Sequence, residues 1–103
     1  MTDQDFADFE RLCNAYAKAQ AQATFLDDFS KSLLAKLMKA AEASGATSAA
    51  IQEREARRDG EYLRHLEGKR AATEQALALR WKMTLWQARL DWLRTEAANA
   101  RRV

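Results

Sequence analysis

Proline is absent from this 103-residue chain, and glycine occurs only three times. Valine and isoleucine are nearly as scarce, represented by Val103 and Ile51 alone. Strands draw on β-branched and aromatic residues in alternation, so a sheet has almost nothing to be made from. Cysteine occurs once, as Cys13, which excludes an intramolecular disulfide and a cysteine-based zinc cluster. No apolar run approaches the ~20 residues that a membrane-spanning helix needs. The opening residues, Met1 to Phe6, are acidic and lack the basic and apolar regions of a secretory signal. A single soluble domain over residues 1–103, in a reducing cytoplasm, is the expectation.

What is abundant points one way. Ala, Leu, Glu, Lys, Arg and Gln dominate, and these lose least on entering a helix. Charge is plentiful and nearly balanced, 17 basic against 15 acidic residues, for a net charge of +2. The halves differ: residues 1–46 carry −2 and residues 47–103 carry +4. A surplus this small does not by itself mark a nucleic-acid binder.

Apolar positions recur at helical spacing. Phe9, Leu12, Tyr16, Ala19, Ala23, Leu26, Leu33, Leu37 and Ala40 form one stripe, interrupted only by Ser30. Thr2 or Asp3 caps its start, and Gly45 is the left-handed stop. The segment therefore predicts a helix over residues 3–43, with Lys36 and Lys39 placed to favour its negative end. A short helix over 48–58 follows. Asp59-Gly60 breaks it, and Asp59 caps a third helix over 60–101. A continuous helix from 48 to 101 is the rival, since one glycine costs only about 1 kcal/mol. The break is preferred because it leaves two long helices of nearly equal length. The fold expected is all-α: a long antiparallel helical hairpin with a short connecting helix, dimerising into a four-helix bundle.

The third helix carries its own stripe, running from Tyr62, His65, Lys69, Ala72 and Ala76 through Leu79, Met83, Trp86, Leu90 and Leu93 to Ala97 and Ala100. With the long helices of equal reach, Phe9 meets Leu93, Tyr16 meets Trp86, and Ala23 meets Leu79. Tyr16, Leu26, Leu33, Leu79, Trp86 and Leu90 are the expected core. Phe25, Phe29, Leu34 and Met38 broaden the apolar face of the first helix, and Ile51 of the short helix is placed to cover it.

A second line breaks the pattern. Trp81, Leu85, Ala88 and Trp92 also share a face, nearly opposite the first stripe at about 100° per residue. A helix that is apolar on two faces is normally covered on both, and a hairpin covers one. Partial cover within the monomer is the plainer account. The sharper one is a protein interface, most simply a two-fold homodimer.

Catalytic chemistry finds little to work with. His65, the sole histidine, has no evident nucleophile beside it. The helical Glu-x-x-His metal pattern fails, because Tyr62 stands three residues before His65. Gly45, Gly60 and Gly68 make no phosphate loop. Asp27-Asp28 read as a solvated face, and the neighbours of Cys13 give no reason for an activated thiol. No cofactor, metal or enzymatic activity is expected.

Basic residues Arg54, Arg57, Arg58, Arg64, Lys69 and Arg70 are candidate nucleic-acid contacts. Glu53, Glu55, Asp59, Glu61 and Glu67 interleave with them, as on an ordinary solvated face with paired charges such as Glu53 and Arg57. The aromatics that would stack on bases lie mostly elsewhere, on the stripes.

Several segments carry a resemblance: residues 16–39, Ile51 to Arg57, Glu61 to Gly68, and Trp86 to Arg101. Tyr16, Phe29-Ser30-Lys31, Met38, Glu53-Arg54-Glu55-Ala56, Tyr62, Leu66-Glu67-Gly68 and Trp92-Leu93-Arg94-Thr95 form the pattern. It resembles a group of small helical proteins of tailed phages and prophages. Members of that group often have a proline in the turn before the residue matching Tyr62, where this chain has Gly60. The resemblance implies a phage or prophage origin near recombination and replication genes, with no established activity and no functional residues to carry over. Two function classes follow as expectations. One is an interaction or accessory protein that contacts a phage or host protein of DNA metabolism. The other is a nucleic-acid-binding recombination accessory protein using residues 54–70. A structural phage component is a third.

Overall fold

The computed structural model describes residues 2–102. It contains three helices, α1 (Asp3–Ala43), α2 (Ala49–Arg58) and α3 (Gly60–Arg101), and no strand among the described residues. The long helices α1 and α3 form an antiparallel hairpin, and α2 connects them at its closed end.

Each boundary has a local cause. At the start of α1, Thr2 Oγ1 accepts the Asp5 N–H at 3.1 Å while the Asp5 carboxylate accepts the Thr2 N–H at 3.2 Å. This reciprocal capping box satisfies two otherwise orphaned donors and holds the Asp5 carboxyl below its ordinary pKa. Gly45 ends the helix at φ +110°, a backbone angle that side chains with a Cβ rarely adopt. The following N–H, of Ala46, bonds back to the Ala41 carbonyl at 3.0 Å. Ser48 Oγ caps α2 by accepting from Ile51 N–H at 3.2 Å. Asp59 then has an extended backbone, φ −64° and ψ 137°, and its carboxylate accepts the Glu61 N–H at 2.8 Å. One residue thus stops α2 and starts α3, which rules out the continuous helix.

The best-buried cluster sits where the three helices meet. Leu33, Leu37, Ala56 and Tyr62 are buried, with Leu34 and Met38 packed against them. Along the rest of the hairpin each helix has a single neighbour. Consequently Leu33 is the only one of the six expected core residues that is buried; Tyr16, Leu26, Leu79, Trp86 and Leu90 are half-buried. Helix α2 is pressed against α1 mainly through Ala56, 1% exposed. A small residue there lets the helices approach closely. Ile51, 37% exposed, lines a groove with Leu37, Ala40 and Ala41 at the end of α1 and does not reach Phe25 or Phe29. Phe25 and Phe29 stay exposed and stack on each other, ring centres 6.1 Å apart.

The faces that meet are the ones the stripes mark, but the register differs from the expected one by about one heptad. Phe9 packs on Trp86, ring centres 5.9 Å apart, where Leu93 was expected. Ser30 meets His65 and Asp27 meets Lys69, seven and six residues before the positions, 72 and 75, that the expected alignment sets opposite them. A slip of seven residues returns the same face of a helix to the seam, so a stripe of Ala and Leu tolerates it. The connection decides: α2 occupies the space beside the end of α1, and Lys36 reaches across to Glu61 at 3.5 Å. The end of α3 therefore projects past the start of α1, which leaves Ala97 and Ala100 exposed. Ala40, at the other end, is exposed as well. The whole molecule is a rod of 80 × 21 × 15 Å.

Candidate protein interface

The two-faced character of α3 survives folding. Its inner stripe from Tyr62 to Leu93 is buried or half-buried at every position named above, because α1 lies along it. Its outer line stays in solvent. Trp81 is 67% exposed, Leu85 66% and Trp92 58%, and Ala88 between them is also exposed. The monomer does not cover this face, so partial cover within the chain fails as an account. Ala78, also exposed, extends the line by one turn, and Leu77, 51% exposed, lies on its flank at a groove shared with Tyr16 and Thr24 of α1. Sequence reasoning missed both. Leu77 lies four residues before Trp81, and that spacing was the available signal.

Around the apolar line the flanks are polar. Arg89 lies over the Trp86 ring at 5.5 Å, on the edge between the two faces. Exposed Lys82 and Thr84 stand on either side of the line, whereas Gln87 and Arg94, which approach the Asp91 carboxylate at 3.2 and 3.8 Å, lie toward α1 beside Phe6 and Phe9. Arg80 has no ion-pair partner among the described residues. An apolar strip rimmed by such groups has the composition of a docking surface.

His65 does have a neighbour with a hydroxyl, contrary to expectation. Ser30 Oγ lies 2.7 Å from His65 Nε2, across the hairpin. The hydroxyl itself donates to the Leu26 carbonyl at 3.1 Å, one turn back. With the hydroxyl turned to that carbonyl, the Nε2–H tautomer of the imidazole completes the pair. Phe29 packs edge-on to the ring at 5.6 Å and Tyr62 lies beside it at 6.4 Å. The pair ties two helices together.

The candidate nucleic-acid contacts are mostly engaged. Arg57 bonds Glu53 at 2.8 Å, Arg70 bridges Glu67 at 2.5 Å and Glu74 at 2.8 Å, and Arg54 and Arg58 both approach Glu55 at 3.9 and 3.7 Å. Lys69 crosses the hairpin to Asp27 at 2.6 Å and holds that carboxyl below its ordinary pKa. Only Arg64 of the six lacks a carboxylate partner among the described residues. The six are distributed over α2 and the start of α3, and five of them have a carboxylate within 4 Å. Among the described residues no group of three or more His, Cys, Asp or Glu is placed to hold a metal ion, and no helix is long and apolar enough to cross a membrane.

No protein-family model, curated protein or solved structure matches the chain.

Proposed function

We propose that the protein is a non-enzymatic interaction protein that acts through helix-to-helix contacts made by the outer face of α3. The observation that carries this reading is the exposed line Trp81, Leu85 and Trp92, none less than 58% exposed. Fully burying a large apolar side chain is favourable by about 1.5–3 kcal/mol, so three of them left in water forgo several kcal/mol. A free-standing monomer gains nothing from that arrangement. A docked helix recovers it.

The resemblance to small phage and prophage proteins sets the context of this proposal: an accessory or inhibitory factor in the cytoplasm of a bacterial host, meeting a protein of DNA metabolism. The test is the native size of the chain in extracts of the cells that encode it, measured by gel filtration. A complex larger than 11.7 kDa is expected for the wild type. Replacing Trp81 and Trp92 together with Glu returns the chain to monomer size. A wild-type chain that already runs as a monomer in the extract overturns the docking reading.

A further inference from the structure

We propose that the occupant of this face is a second copy of the chain, paired antiparallel through α3 about a two-fold axis at Leu85. The proposal rests on the docking reading above and names its partner. Ala78, Trp81, Leu85, Ala88 and Trp92 are spaced three, four, three and four apart, which is the spacing of a helix–helix seam. The order of large and small residues along that seam selects a direction. In an antiparallel pair about Leu85, Trp92 stands level with Ala78 of the second copy, and Trp81 stands within one residue, about 1.5 Å, of Ala88. Each indole then has a small residue opposite, and the layers fill evenly. In a parallel pair Trp81 would meet Trp81 and Ala88 would meet Ala88. That alternates overfull and empty layers, and both are costly.

The area agrees with this occupant. The exposed parts of the two indoles, Leu77 and Leu85 amount to roughly 500 Å² on each copy, taking about 150–250 Å² for a whole aromatic side chain. With the flanking atoms of α3 this approaches the roughly 800 Å² per partner of a stable interface. A partner with another sequence would need its own matched seam; a second copy already has it.

The geometry has a consequence for shape. The outer line lies opposite the face that holds α1, so the dimer is a row of four helices, α1 and α3 of one copy then α3 and α1 of the other. It is not a square bundle. The closed ends of the two hairpins point apart, and the dimer is about 110 Å long at ~1.5 Å per residue from Leu85. A parallel pair keeps the 80 Å length of one chain.

Light scattering and small-angle X-ray scattering on the purified chain at tens of micromolar decide it. A mass about twice 11.7 kDa with a longest dimension near 110 Å is the expected result. In a Cys13→Ser background, Leu85→Cys oxidises to a covalent dimer, while Leu77→Cys does not, because only Leu85 sits at the axis. Ala88→Glu, an exposed helical change that leaves the monomer's circular dichroism intact, lowers the mass to that of one chain. A wild-type mass of 11.7 kDa at this concentration overturns the second-copy proposal, and so does a dimer 80 Å long. If the purified chain is a monomer while the cell extract still shows a larger complex, the docking reading stands and only the choice of partner falls.

Discussion

Ser30 Oγ and His65 Nε2, 35 residues apart in the chain, lie 2.7 Å apart in the seam between α1 and α3. Ser30 is the one polar interruption of the α1 stripe, and His65 is among the few polar positions on the α3 stripe. Facing Ser30 Oγ, the imidazole finds a hydrogen-bond partner that Ala and Leu could not offer. Apolar stripes permit a slip of one heptad, and a polar pair resists it. Ser30→Ala leaves the half-buried imidazole N–H without an acceptor and should cost about 1–2 kcal/mol in urea unfolding. The double change Ser30→Ala with His65→Leu should recover most of that loss. Additive losses would show that the two side chains do not act as a pair.

The Asp27–Lys69 contact predicts an acid limit. Lys69 lowers the folded-state pKa of Asp27, and Arg70 does the same for Glu67. A carboxyl whose pKa is lower in the folded state contributes stability above its unfolded value, and loses it as pH falls through the folded value. Thermal stability should therefore be level from neutral pH down to about pH 5 and decline below about pH 4. Asp27→Asn should flatten part of that decline. An unchanged acid profile would mean that the cross-helix pair is solvated in solution.

Burial ranks the leucines. Leu33 is 3% exposed, in the three-helix cluster, whereas Leu90 is half-buried in the two-helix stretch. Leu33→Ala should cost about 2–5 kcal/mol. Leu90→Ala should cost less, about 1–2 kcal/mol, because much of that side chain already meets water. Equal losses in urea titrations would place Leu90 in a better-covered core than one hairpin provides.

Gly68 lies inside α3, and a Cβ there would meet nothing within 4 Å. Alanine is the better helix former, so Gly68→Ala should stabilise the chain by about 1 kcal/mol. Destabilisation in a thermal melt would mean that another surface approaches the backbone at Gly68.

With most of the basic residues of α2 and early α3 already bonded to carboxylates, single-stranded and double-stranded DNA should pass unretained at ~50 mM salt, where non-specific binders still hold on. Retention that disappears on replacing Arg57, Arg58 and Arg70 with Ala would restore a nucleic-acid role.

The sequence by itself determined the helices and their ends. Thr2, Gly45, Ser48, Asp59 and Gly60 act within one turn of the chain, through caps and a left-handed stop that need no tertiary partner. It also determined which faces meet, because the apolar spacing of Tyr16 and Leu33, or of Ala76 and Trp86, is a property of each helix alone. Register was decided only in the tertiary structure. A seven-residue slip preserves every stripe, and the space taken by α2 together with the Ser30–His65 and Asp27–Lys69 pairs selects one alignment. Depth of burial was decided there too. A stripe says which way a side chain points, whereas the number of helices around it says how much water is excluded. Leu33 has three helices about it and is buried, while Trp86 has two and is half-exposed to solvent.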